Sequence, residues 1–365
     1  MPGVYISYPF CTQKCSFCNF ASDVASSDVK ARYATALLGE IRSHEWEYPP
    51  ETVYLGGGTP SLMPPKLLRE LMNAIPGEHL TEATMECAPG TITRERVELW
   101  RECGFNRISL GVQSFVQDEL RKVGRRHTAE TVERDVQLLR DAGLNNINLD
   151  LIAGLPHQTA ESWTRSLDWM ERLAPPHASI YLFEVDADSR LGNEVLLGGS
   201  RYGADCVPSD DLGAELYESA VERFDSMGLL RYEISNFARL GSESRHNLKY
   251  WQLEPYIGFG LDAHSFDGRY RWGNAGALDA YFTARENPGD APSERTETNA
   301  SEERFFVGLR LTKGIAPSDE EWSRYAEPIE KWMVAGMLER AGNRLRLADR
   351  AHLVSNEIFQ EFVNA

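Results

Sequence analysis

The sequence predicts an α/β protein built on a partial (βα)6 barrel, followed by a C-terminal α+β extension and a small winged-helix-like domain. Three observations carry this reading. Six short β-rich runs alternate with stretches of helical periodicity over roughly the first 190 residues. Turn glycines and prolines punctuate the ends of those runs. Beyond about residue 200 the alternation gives way to Gly-rich and aromatic sequence. Parallel strand neighbours need a helical crossover, so regular alternation implies a parallel sheet with helices packed outside it. A TIM-like barrel places the loops after its strands on one rim, whereas an open doubly wound sheet, the alternative, gathers them at a switch point.

Val4 to Tyr8 reads as the first strand, stopped by Pro9 and followed by a cysteine loop and a helix from Val29 to Trp46. Thr52 to Leu55 is a strand that breaks at Gly56-Gly57-Gly58 before a helix over Pro65 to Ile75. The pattern continues with Ala83–Cys87 and Arg94–Cys103, Arg107–Gly111 and Thr128–Ala142, Asn146–Ile152 and Ala160–Leu173, and closes on Ser179–Phe183. After a loose stretch comes a helix over Asp211 to Met227, and Asn287 to Ala300 reads as a polar, proline-bearing linker. From Ser301 the sequence gives two helical patterns, a hairpin over Leu338 to Leu347 with a Gly-Asn turn, and a closing helix from Ser355. The expected division is therefore 1–200 for the barrel, 201–298 for a barrel-extending region and 299–365 for the winged-helix-like domain.

Composition bounds the partners. Hydrophobic residues make up 42% and charged residues 25% of the chain, as in ordinary globular proteins. The net charge of −17 repels a phosphate backbone, so nucleic acid is not an expected partner. No stretch approaches the roughly eighteen uninterrupted apolar residues of a membrane-spanning helix, and no export signal precedes the cysteine loop. A cytoplasmic location is expected. Of six cysteines, three fall at positions 11, 15 and 18 and the rest are scattered, unlike a secreted disulfide framework. Cys87, Cys103 and Cys206 read as buried small hydrophobes.

Cys11-x-x-x-Cys15-x-x-Cys18 is the strongest signal in the chain. Three thiolates in one short loop can hold three irons of a cubane cluster and leave the fourth iron open. Structural zinc wants a fourth protein ligand, and the nearest other candidate is His44 on a predicted helix. The motif at the end of a first barrel strand resembles the signature of the radical S-adenosylmethionine (SAM) superfamily. That resemblance implies a 4Fe-4S cluster on Cys11, Cys15 and Cys18, with SAM on the open iron and cleaved by the reduced cluster to an adenosyl radical. Tyr5-Ile-Ser-Tyr-Pro-Phe-Cys11, Gly56-Gly-Gly-Thr-Pro60, Gly111-Val-Gln-Ser-Phe115 and Asn148-Leu-Asp-Leu-Ile-Ala-Gly-Leu-Pro156 look like the oxygen-independent coproporphyrinogen III oxidase group. Tyr232-Glu-Ile-Ser-Asn-Phe237, His246-Asn-Leu-Lys-Tyr-Trp251 and Ser355-Asn356-x-x-Phe359 resemble its HemW-type heme chaperone branch.

Carried over by that resemblance, Gly57, Gly58 and Thr59 meet the SAM amino group, Glu86 and Asp150 suit ribose hydroxyls, and Gln113 and Arg125 complete the SAM contacts. Arg125 suits the SAM carboxylate, and Tyr5 and Phe17 lie close to SAM. Strand-end polar residues also cap helices, and aromatic residues also fill cores, so each of these has a structural alternative. His246, with Tyr250 and Trp251 beside it, is the candidate heme ligand. Phe20 stands where the oxidases carry a further cysteine, and Leu261-Asp262 departs from the family's smaller residues. The function implied is a radical SAM heme chaperone that binds heme as cargo and passes it to client heme proteins, with a reductant for the cluster. The alternatives are a coproporphyrinogen III oxidase or another radical SAM enzyme such as a methyltransferase.

Overall fold

The computed structural model describes residues 1–77, 79–286 and 295–363. Strands β1 (Gly3–Tyr8), β2 (Thr52–Gly57), β3 (Glu82–Cys87), β4 (Arg107–Gln113), β5 (Asn146–Ala153) and β6 (His177–Leu182) lie side by side in chain order, each parallel to the next. Because that order never reverses, there is no switch point, and the helices wind around one face as in an α/β barrel. The doubly wound alternative is thereby excluded. Along each strand the side chains alternate. Val4, Ile6, Val53, Leu55, Met85, Ile108, Leu110, Ile147 and Leu149 are fully buried beneath the helices. Their neighbours Tyr54, Glu86, Arg107, Ser109, Asn148, Asp150 and Ser179 line an interior cavity, so the barrel is polar inside.

The outer layer is α1 (Ser27–Ser43), α2 (Pro65–Ala74), α3 (Arg94–Glu102), a short α4 (Gln117–Lys122), α5 (Ala129–Asp141) and α6 (Ala160–Leu173). Ser26, Thr93, Thr128 and Thr159 cap α1, α3, α5 and α6 by accepting a backbone N–H, which fixes where each helix begins. Helix α4 has no counterpart among the sequence expectations, because six residues are too few to show a periodicity. Two further helices, α7 (Arg190–Leu196) and α8 (Asp210–Ser226), follow β6.

The next segment covers both edges of the sheet. On the β6 side, β7 (Leu230–Arg231) and β8 (Asn236–Ala238) add antiparallel strands. The helix α9 (Arg245–Trp251) then crosses beneath the strand starts, where the Glu82 carboxylate accepts N–H groups of Arg245 at 2.9 Å and His246 at 3.0 Å. On the other side, β9 (Tyr256–Phe259) runs parallel to β1, and β10 (His264–Phe266), β11 (Tyr270–Gly273) and β12 (Thr296–Glu297) continue antiparallel. Residues 287–294 of the expected linker lie outside the described residues. No helix among the described residues is long and apolar enough to cross a membrane.

One buried carboxylate joins the extension to the barrel. Glu40 on α1 accepts from Tyr281 on α10 (Leu278–Glu286) at 2.6 Å and from Asn274 at 2.8 Å. It also takes the Gly260 N–H at 3.0 Å and lies 3.4 Å from Arg285.

The C-terminal segment has a core of its own, in which Phe305, Tyr325, Ile329, Leu345, Phe359 and Phe362 are buried together. It consists of α11 (Ala300–Gly308), α12 (Asp319–Arg324), α13 (Ala326–Val334), the hairpin β13 (Leu338–Ala341) and β14 (Arg344–Leu347), and α14 (Ser355–Gln360). Three helices stand where the sequence suggested two, because the second pattern is divided at Tyr325. Thr312 donates its N–H to the Tyr232 carbonyl at 3.0 Å, and Ile234 packs against this core, so the segment is fastened beside β7.

Replacing Glu40 with alanine leaves four donors without their acceptor, of which those of Tyr281 and Gly260 are buried. Glu40→Ala is expected to lower the melting temperature by more than about 5 °C, since stranding the partners of a buried charge is destabilising by several kcal/mol. Calorimetry checks this, and an unchanged transition contradicts the role given to Glu40.

Candidate functional site

Cys11, Cys15 and Cys18 lie in the loop that leaves β1, and its backbone is held at several points. Cys11 N–H donates to Asp23 O at 3.0 Å and Ser16 N–H to Val123 O at 3.1 Å, while Ser16 O receives the Leu191 N–H at 2.7 Å. Asn19 donates to Asp186 at 2.6 Å, and Arg190 reaches the Lys14 carbonyl. Phe17 packs against a small apolar cluster of Val123, Ile152, Leu155 and Leu191. Thus α7 clamps the loop, although the sequence reads as loosening there. Its signals were a Ser189 cap and the spacing of Leu191 and Val195.

The three thiols are free, partly exposed and face one cavity. Burial raises the Cys11 thiol, against hydrogen bonds from Thr59 and Ser22 that lower it. Among the described residues no three Cys, His, Asp or Glu side chains converge on a single ion. A cubane spreads its three protein ligands over three irons, and the loop's free thiols suit that set. Of the scattered cysteines only Cys87 is buried. Cys103 and Cys206 are partly exposed, which corrects the reading of all three as core residues.

The glycine run at the end of β2 passes directly under this loop. Gly57 has φ of 106°, and a Cβ on Gly58 would sit 2.7 Å from Phe10 N and 2.8 Å from the Pro9 carbonyl carbon. Side chains are therefore excluded at both positions. Gly58 N–H donates to Tyr8 O at 2.9 Å and Thr59 N–H to Phe10 O at 3.0 Å, so the glycine run and the cysteine loop form one unit.

Across the mouth stand the acids and donors. Glu86 accepts from Tyr54 Oη at 2.9 Å and from the Gly57 N–H at 3.2 Å, and burial pushes its carboxyl up to about 7. Asp150 accepts from Ser109 at 3.3 Å and Asn148 at 2.6 Å, and burial raises it as well. Asp150 lies mid-strand, not at a strand end, because β5 runs on to Ala153. At the end of β4 the register slips between Gly111 and Gln113, and Gln113 takes φ of 71°. This strained bulge turns the Gln113 amide back over Gly111. A Cβ on Gly111 would meet Gln113 Nε2 at 2.9 Å and Arg125 Nη2 at 3.5 Å, so the two donors converge there. The Nε of Arg125 is buried without a partner.

Carboxylates on β3 and β5 with nitrogen donors between them suit a ligand carrying hydroxyls and a carboxylate. His127 was not singled out from sequence. It lines the same mouth with Nε2 unpartnered, and burial followed by the Arg125 charge pulls its imidazole down to about 4. Tyr5 does not reach the lining. Its ring stacks on Tyr54 with centroids 6.1 Å apart.

The cavity measures about 670 Å³ and is far longer than this mouth. From Cys11, Phe17, Thr59 and Arg125 it descends past Glu86 and Asp150 to Arg107 at the start of β4. It continues sideways to Asn247, Arg310, His352, Ser355 and Asn356, so the C-terminal segment supplies part of its wall. His246, the candidate heme ligand, is not among the lining residues of this cavity. The ring is fully buried at the N-terminal end of β1 and β2, with Nδ1 bonded to Thr52 and Nε2 to Tyr250, both at 2.8 Å. Burial, then the Lys249 charge, pulls it down to about 3. Neither nitrogen is free to meet a metal.

Residues 5–170 match the family model described as the Radical SAM superfamily. The chain is 32% identical to the Bacillus subtilis protein named heme chaperone HemW, over all of this chain and 99% of that one. It is 34% identical to the Escherichia coli heme chaperone HemW over 72% of this chain and 69% of that one. In structure it resembles the E. coli coproporphyrinogen III oxidase, a radical SAM enzyme, at a TM-score of 0.86 and 21% identity, over 100% of this chain and 90% of the other. The shared fold, the full-length relatives and the thiol loop under its glycine run lead to one assignment: the chain belongs to the radical SAM superfamily, within the HemW family of heme chaperones.

Proposed function

We propose that the chain binds heme in the long cavity below its thiol loop and passes it to client heme proteins. The observation that carries this reading is the shape and lining of the cavity. It begins at the thiols and carries an apolar rim in which Phe20 is 64% and Leu182 37% exposed, with Phe17, Tyr181 and Phe183 beside them. Exposed apolar groups around a concave site suit a flat hydrophobic guest. The relatives' names point to the same cargo.

Cys11, Cys15 and Cys18 would hold a 4Fe-4S cluster, and Gly57, Gly58, Thr59, Glu86, Gln113, Arg125 and Asp150 would hold SAM. A reduced cluster of this kind supplies one-electron chemistry to SAM. The chain's own residues keep the loop in place, offer unpartnered donors at Gln113 and Arg125, and present Glu86 as a carboxyl that titrates near neutrality. Free thiols of this kind call for a reducing compartment, which favours the cytoplasm and an electron donor there.

Cluster assignment and cargo are tested separately. After anaerobic reconstitution, Cys11→Ala is expected to retain well under half of the wild-type iron and sulfide. Full content in that variant overturns the cluster site. For the cargo, reconstituted protein is titrated with heme, and in parallel incubated with coproporphyrinogen III, SAM and reductant. Stoichiometric heme absorbance, transfer to an apo heme protein and no decarboxylated product are expected, whereas turnover of coproporphyrinogen makes the chain an oxidase.

A further inference from the structure

Arg107 opens β4 at the end of the barrel opposite the thiols, and its side chain is 1% exposed. It lines the floor of the cavity. Among the described residues no hydrogen bond or salt bridge reaches its guanidinium, and its Nε is buried without a partner. An arginine removed from water in this way is unusual, because its five donors need acceptors and its charge needs an answer.

The Arg107 charge acts on the carboxyls of Glu86 and Asp150, but no nearby acid bonds to its guanidinium. Glu82 holds the N–H groups at the start of α9, Glu86 takes Tyr54 and Gly57, and Asp150 takes Ser109 and Asn148. Arg310, the other arginine at this end, differs. Its Nε is also without a partner, but it stands 3.8 Å from Glu233 and lies over the Trp251 ring at 4.5 Å, so its charge is met within the protein. The polar wall around Arg107 is tied to itself. Asn148 donates to Ser109 at 2.8 Å, and Ser179 donates to Asn148 at 3.1 Å and Asn236 at 2.8 Å, which leaves the wall rigid and the arginine open.

We propose that Arg107 anchors a carboxylate subsite at the cavity floor, gripping a carboxylate arm of the organic guest whose body lies between the floor and the thiol loop. A guanidinium fork matches a carboxylate bidentately, which a lysine does not reproduce. The subsite rests on the heme reading only in identifying the guest, whose propionate would be that arm.

The test compares heme with its dimethyl ester, which has the same ring and iron but no free carboxylate, by absorbance titration of wild type, Arg107→Leu and Arg107→Lys. Wild type is expected to prefer the free acid by at least about tenfold, as one charge-assisted pair contributes. Arg107→Leu should lose that preference while binding the ester as wild type does, and Arg107→Lys should fall between. Unchanged preference in Arg107→Leu, or no preference in wild type, overturns the subsite. If Arg107→Leu fails to fold, Arg107→Lys decides, with a full wild-type preference counting against the fork. If wild type binds neither ring, the heme reading falls and a small probe judges the subsite alone. Millimolar succinate, but not succinamide, must then raise the wild-type melting temperature and leave that of Arg107→Lys less changed, and no succinate shift overturns the subsite.

Discussion

The passage of the backbone at Pro9–Phe10 over Gly58 is the constraint on which the rest of the site depends. Parallel pairing of β1 with β2 brings the two strand ends to the same height, with Tyr8 opposite Gly57. What leaves each strand must then share one small space. Only a residue without a side chain fits beneath the cysteine loop, and the two hydrogen bonds from Gly58 and Thr59 convert that proximity into a fixed geometry. The thiols, the glycine edge and the acids of β3 and β5 are consequently set by sheet register, with little left to loop flexibility.

The second physical theme is an interior that breaks the usual economy of a core. Barrel strands bury apolar side chains against the helices, while their inner faces carry Tyr54, Glu86, Arg107, Asn148 and Asp150. Most of these polar groups are engaged with one another. Five lining residues, Arg107, Arg125, His127, Arg310 and His352, each leave a buried ring or guanidinium nitrogen without a partner. Unanswered nitrogens along one cavity suit a ligand that completes their bonding. They run along it, Arg125 and His127 at the mouth, Arg107 at the floor, and Arg310 and His352 in the wall supplied from the C-terminal side.

Much of this was legible in the sequence, for reasons that particular residues make clear. The six barrel strands were visible because alternation and turn signals are local, and Cys11, Cys15 and Cys18 because their spacing is itself the chemistry. Pairing is not local. Nothing in Tyr256–Phe259 announces that it will lie parallel to β1, and nothing around Arg190 announces that α7 will hold the cysteine loop. His246 shows the limit most clearly, since its two partners include Thr52, almost two hundred residues away, and their meeting leaves no mark in the local sequence. Arg107 escaped notice for the same reason, because an arginine in a strand looks ordinary until its neighbours are seen to be occupied.

Heme is proposed to enter the cavity lined by the thiol loop, β6 and the C-terminal segment. Hydrogen exchange on cluster-loaded protein, with and without one equivalent of heme, tests it most directly. Protection is predicted to concentrate in residues 11–22, 181–186 and 349–356, three segments that carry lining residues of the cavity. Protection confined to the outer helices, with these three segments unchanged, would place heme elsewhere and contradict the account.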